Sequence, residues 1–225
     1  MLDKAAGLDV FERRLVAECS AMARRADHTK AELAKLVVDT AEELIAEEGI
    51  DAFSARTLSR AIGYTAGTLY HHFKDLDDIV TQVNSRTLAG LALAFDEAAR
   101  SDDPQRQLHS YADAFLDYIA LKRNLWNALF EFRRKPGVAV PPWYLESIAA
   151  LIRIVAECFQ HIRPDLDPET CRRSGQLVFA SIHSVVSLDS SGRLGLVMDQ
   201  DIRQVVHELV DMHVTAFKHR APDAA

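Results

Sequence analysis

The side chains best equipped for chemistry crowd into one short stretch, GYTAGTLYHHF, residues 63–73. It combines hydroxyls (Thr65, Thr68), phenols (Tyr64, Tyr70), imidazoles (His71, His72) and small residues (Gly63, Ala66, Gly67), and it holds no carboxylate. Such a set donates hydrogen bonds and lets a backbone come close to its partner, which suits the phosphates and base edges of nucleic acid. The acid-free window extends over residues 52–74. There Arg56, Arg60 and Lys74 give a net charge of +3 within a chain of formal charge −7. Overall acidity argues against nucleic acid, because phosphate neutralisation needs Lys and Arg. Net charge, however, sums the whole surface and hides a local basic face.

Other chemistries find little support. His71 and His72 are adjacent and point apart on a helix, so they make a poor metal pair. HELVDMH, residues 207–213, has Asp211 where the zinc-protease H-E-x-x-H motif needs its second His. His207 and Asp211 lie one turn apart and are expected to hydrogen-bond at the surface rather than hold a metal. No Gly-rich phosphate loop, G-x-S-x-G elbow or acid–base dyad occurs, so an enzyme is not expected, and neither is a cofactor or a metal. Cys19, Cys158 and Cys171 are odd in number and show no C-x-x-C spacing, as in a reduced cytoplasmic protein with buried thiols. The N-terminus MLDKAAGLDVFERR reads as mature sequence without a secretory signal, and no apolar run reaches the ~20 residues that span a bilayer.

The elements that must position these residues all read as helices. Leu33, Leu36, Val37, Thr40, Leu44 and Ile45 recur at three- and four-residue steps over residues 30–48, with Gly49 as a left-handed stop. Ser54 caps a short helix from Ala55 to Ile62, Gly63 ends it, and Thr65 caps another that runs to about His72. Two short helices joined by a glycine-bearing turn are the layout of a helix-turn-helix, whose second helix enters the major groove. Leu58, Ile62, Leu69 and Phe73 are the apolar set that would hold the pair in place. Asp75 caps a long helix with Asp77 and Asp78 in its first turn. Further helices are expected near 105–121, 124–134, 142–162, 168–189 and 200–219, separated by breaks rich in Pro and Gly.

The segment EEGIDAFSARTLSRAIGYTAGTLYHHF, residues 47–73, resembles the DNA-binding domain of TetR-type transcriptional regulators, and the likeness extends to about residue 80. The resemblance implies an all-α fold: a helix-turn-helix three-helix DNA-binding domain (28–75) followed by a larger helical ligand-binding and dimerisation domain (76–225), with residues 1–27 as an N-terminal helical extension. It implies DNA contacts from Arg56, Thr65, Ala66, Gly67, Thr68, Tyr70, His71, His72 and Lys74, with Tyr70 and His72 on the backbone and Ala66 at a position that varies with operator sequence. One departure stands out. Leu76 occupies the place where the family usually carries a phosphate-gripping Lys, and Lys74 is the nearest substitute. Arg13, Arg14, Arg24, Arg25 and Lys30 of the extension are further candidates for phosphate contact.

The implied function is a ligand-responsive regulator, in the family pattern a repressor that leaves a palindrome-like operator when a small molecule binds. The alternative is a helical binding module that has lost DNA binding. Helices near 168–189 and 200–219 are apolar around more than one face, so each is expected to be buried on two sides, the outer one against a second subunit. The segment WNALFEFR (126–133) and Phe179-x-x-x-His183-Ser184 look like motifs of a family subset, the second with two departures. Pocket candidates are Tyr111, Phe115, Tyr118, Trp126, Phe130, Trp143, Phe159 and His183, with Cys158 as a further polar option.

Overall fold

A computed structural model describes residues 29–132 and 139–221 of the chain. The N-terminal extension, with Arg13, Arg14, Arg24, Arg25 and Cys19, lies outside the described residues, as does Arg133. The described residues are all-α and contain no strand. In chain order the helices are α1 (Lys30–Glu48), α2 (Ala55–Ile62), α3 (Ala66–Leu69), α4 (Leu76–Glu97), α5 (Pro104–Glu131), α6 (Pro142–Ile162), α7 (Pro168–Ser190) and α8 (Ile202–Lys218), with a 3-10 turn at Leu194–Leu196 before α8. No helix among the described residues is long and apolar enough to cross a membrane.

Caps explain most boundaries. Thr29 Oγ1 accepts from Glu32 N, while Glu32 Oε2 accepts from Thr29 N at 2.7 Å, a reciprocal box that opens α1. Ser54 and Thr57 form the same arrangement at α2. Gly63 then takes φ 73° and ψ 21°, and both its own N–H and that of Tyr64 reach back to the Ser59 carbonyl. Gly49 also ends its helix, but at φ 80° and ψ 170°. That is a glycine-only extended region rather than the expected left-handed cap. Asp75, Asp103, Asp167 and Asp201 each accept an N–H of the first turn of α4, α5, α7 and α8.

Contact density divides the chain into two compact units, one holding the described residues up to Val83 with those from Asn127 to 132, the other holding the rest. In the first unit α1 packs on α2 and α2 on α3. Val37, Ala41, Ile45, Leu58, Leu69, Phe73 and Ile79 are among its buried apolar residues. In the second, α6 packs on α7 and α7 on α8. A Cβ at Gly175 would lie 3.3 Å from the Ile152 carbonyl oxygen and the Ala156 nitrogen, so α7 approaches the backbone of α6 there.

One expectation is corrected and another is met. The helix expected from Thr65 to about His72 is regular only over Ala66–Leu69 and continues as a tighter turn in which His72 N and Phe73 N both donate to the Leu69 carbonyl at 3.0 Å. The helices expected at 105–121 and 124–134 are the two segments of α5, which meet at a kink where Lys122 is non-helical (φ −123°, ψ 31°), at the expected boundary. Nothing in LKRN removes an amide donor, so the second segment follows the first directly.

Candidate nucleic-acid interface and ligand cavity

The first unit presents the acid-free window as a continuous outer face. Arg56, Arg60, Thr65, Ala66, Gly67, Tyr70, His71 and Lys74 are exposed, and Thr68 and His72 are half-buried. Alternation with the core sets this pattern. Leu58, Leu69 and Phe73 are almost fully buried, which turns their neighbours outward. Thr65 caps α3 by accepting from Thr68 N, and the two hydroxyls lie 3.0 Å apart. Thr65 therefore holds the start of the short helix in place. Gly67 lies inside α3, and a Cβ there would meet nothing nearer than Thr65 Oγ1 at 3.7 Å. The fold does not require a glycine at this position, whereas a backbone meeting phosphate would.

Tyr70 is 46% exposed although it is a large aromatic residue flanked by core positions. His72 Nδ1 is buried without a hydrogen-bond partner, an uncommon state for a buried ring nitrogen. Lys74 projects into solvent, and its backbone N–H donates to Asp78 Oδ2 at 3.2 Å. Leu76 opens α4 half-buried. The position that departs from the TetR pattern thus serves packing in this chain, and the cation nearest to it in sequence is Lys74.

The second unit contains an apolar cavity of about 40 Å³ among α4, α5, α6, α7 and α8. Leu91, Phe95, Leu108, Tyr111, Phe115, Val178, Phe179 and Ile182 are among its walls, and Tyr111 supplies the one polar side chain in the lining. A larger cleft of about 710 Å³ shares Tyr111 with it and is lined by Arg100, Ser101, Asp102, Gln107, Glu157, Cys158 and His161. Of the expected pocket residues, Tyr111 and Phe115 line the cavity. Trp126 is fully buried behind Phe115 with ring centroids 5.0 Å apart, and His183 stacks on Phe179 at 6.0 Å. Tyr118 donates to the Thr87 carbonyl, Phe159 packs on Phe217, and Trp143 is largely exposed. Phe130 is half exposed and belongs to the stretch grouped with the first unit. Burial holds His183 below the usual imidazole range and pushes the Cys158 thiol up to about 12, with Glu157 adding to the latter. Cys158 and Cys171 are buried free thiols.

The sequence profile described as bacterial regulatory proteins of the tetR family matches residues 37–83, the stretch that carries the exposed window. Residues 37–83 of this chain thus match the DNA-binding segment of the TetR family. The regulator AcrR of Shigella flexneri is 31% identical over 62 residues, which are 28% of this chain and 29% of AcrR. The chain spans less than half the length of the curated relatives it matches. A protein of unknown function from Rhodococcus sp. RHA1 shares the fold over 85% of this chain and 97% of its own, with TM-score 0.62 and 23% identity. Thermus thermophilus FadR, a TetR-family repressor solved with lauroyl-CoA, shares it over 85% of this chain and 98% of its own, with TM-score 0.62 and 16% identity.

Two features of this chain are not legible in its sequence. The first is a polar seam between α5 and α8. Arg203 donates to Asp113 and Asp117 at 2.6 Å, His207 Nε2 lies 2.8 Å from Asp113, and His109 Nε2 lies 2.8 Å from Asp211. His207 and Asp211 therefore pair with α5 rather than holding a metal together, and among the described residues no His/Cys/Asp/Glu cluster suits a metal. The partners are about a hundred residues apart in the chain, so no local spacing announces them. The second is Gln107, which is buried on the cleft wall, carries its own unmet donor and sits in an unremarkable run of polar residues.

Proposed function

We propose that this chain is a DNA-binding transcriptional regulator, a repressor released from its operator by a small molecule held in the helical domain. One observation carries the reading. The exposed side of the helix-turn-helix, from Arg56 to Lys74, contains no carboxylate although the chain has net charge −7. Arg56, Arg60 and Lys74 supply phosphate contacts, Tyr70 and His72 add backbone contacts, and Ala66 with Gly67 lets α3 sit close in the groove. The family of the N-terminal segment supports the same reading.

A palindrome-like operator needs a twofold dimer. The outward sides of α7 and α8 support one. Leu177 and Met212 are 52% and 67% exposed, Ala180, Ser184 and Ala216 stand on the same outward positions, and no Asp, Glu, Lys or Arg occurs between Ser174 and Leu188. The cleft of about 710 Å³ beside Tyr111 supports a small-molecule effector, as does the lauroyl-CoA bound by Thermus FadR.

Fluorescence anisotropy on DNA from the gene's own upstream region, repeated across a salt series, tests the proposal. Salt-sensitive binding that weakens in Tyr70→Ala is expected. Binding that ignores both salt and Tyr70 would contradict it.

A further inference from the structure

The acid-free window ends at Lys74 and is followed at once by Asp75, Asp77 and Asp78. By charge alone these carboxylates cancel the +3 of the window and oppose its approach to phosphate. The fold puts each of them to another use. Asp77 is only 7% exposed. Asp75 Oδ1 accepts from Asp78 N at 3.0 Å and caps α4. Asp78 Oδ2 reaches back to accept from Lys74 N at 3.2 Å, and its Oδ1 accepts from Gln82 Nε2 at 3.3 Å.

The result is a capping box displaced by one residue. In the usual box the third helical residue takes the N–H of the cap, whereas Asp78 takes the N–H of the residue before the cap. The consequence falls on Lys74. Its neighbour Phe73 is 3% exposed and donates its N–H to the Leu69 carbonyl. The Lys74 N–H has Asp78 as its one acceptor among the described residues. The backbone of Lys74 is thus tied to the core on one side and to α4 on the other, and its exposed side chain starts from a fixed point. Leu76 brings no charge to this edge of the reader, and the next Lys or Arg along the chain is Arg86.

We propose that Asp78 is a positioning residue for DNA binding. Through the Lys74 N–H it sets Lys74 against the phosphate backbone, so that a carboxylate strengthens binding to a polyanion. This deepens the regulator reading and rests on it. Charge alone predicts tighter binding when Asp78 is removed, and positioning predicts weaker binding.

Fluorescence anisotropy of the full-length protein on DNA from its own upstream region, over a salt series, decides the sign. Asp78→Ala is expected to weaken binding about threefold to tenfold and to lower the salt slope, as Lys74→Ala does. Asp78→Asn keeps an oxygen for the Lys74 N–H and loses the charge, so it should bind at least as tightly as the unmutated protein. In the Lys74→Ala background, Asp78→Ala should bring no further loss, because the residue it positions is gone. Thermal melting checks the fold of each variant, and Asp78→Leu repeats the test if the alanine variant does not fold. Loss of the fold in both would show a structural role and overturn the proposal. So would equal or tighter binding by Asp78→Ala, weaker binding by Asp78→Asn, or the same loss with and without Lys74. An unmutated protein that binds no DNA removes the regulator reading and this role with it. A binding protein indifferent to Asp78→Ala removes this role alone.

Discussion

At the scale of single residues, Tyr70 and Gly67 separate binding from folding. Tyr70 is half exposed, so Tyr70→Ala should leave Tm within about a degree while weakening DNA binding at least tenfold, measured by thermal melting and anisotropy on the same samples. A Cβ at Gly67 would make only an ordinary contact with Thr65 Oγ1 at 3.7 Å, and Ala is the better helix former by up to about 1 kcal/mol. Gly67→Ala should therefore keep or slightly raise stability and still lose affinity, because the added methyl blocks close approach to phosphate. A variant that binds normally would remove Gly67 from the interface. Lys74→Ala should lower the salt slope of binding by about one unit. The exposed window was legible because its pattern is local: Leu58, Leu69 and Phe73 mark the buried side, and the acid-free residues between them face outward. Gln107 was not legible, because nothing in a polar run tells which donor folding will bury.

At the scale of elements, caps made the helix ends readable. Ser54, Gly63, Thr65 and Asp75 act within one turn of themselves, and the helices begin and end where those side chains can reach. Removing the α2 box with Ser54→Ala should cost about 1 kcal/mol in chemical denaturation. The polar seam was not readable, because it is decided by contacts distant in sequence. The same holds for Gly175, a mid-helix glycine whose use appears only where α7 meets α6. Gly175→Ala should destabilise by about 1–3 kcal/mol despite the better helix propensity, since the added methyl meets backbone rather than a movable side chain. The seam carries a pH dependence. Burial alone would raise the carboxyls of Asp113 and Asp211, but hydrogen bonds from His207 and Arg203 to Asp113, and from Gln105 and His109 to Asp211, hold both below the usual range. A depressed folded value means the contribution is present above the unfolded pKa of ~3.9 and is lost as pH falls through the folded value. Tm should drop on acidification below about pH 4, and Asp113→Asn should flatten that drop. A drop of equal size in the variant would show that the seam does not titrate.

At the scale of the whole molecule, the function proposed above requires a paired reader. An acidic chain can bind DNA when a carboxylate-free basic face is presented twice, and the uncharged outward stretch of α7 offers a surface for that pairing. The aromatic residues of the second unit show the limit of sequence reading here. Spacing marked Phe115 and Phe159 alike, yet the first lines the cavity and the second packs on Phe217, because periodicity gives a buried face and not what lies across from it. The most direct test of the central claim is selection of bound duplexes from a random DNA pool with the full-length protein. Enrichment of inverted half-sites with centres about one helical turn (~34–36 Å) apart is predicted, abolished by Tyr70→Ala. A pool that stays random after repeated rounds, or enriches equally with the variant, would contradict it.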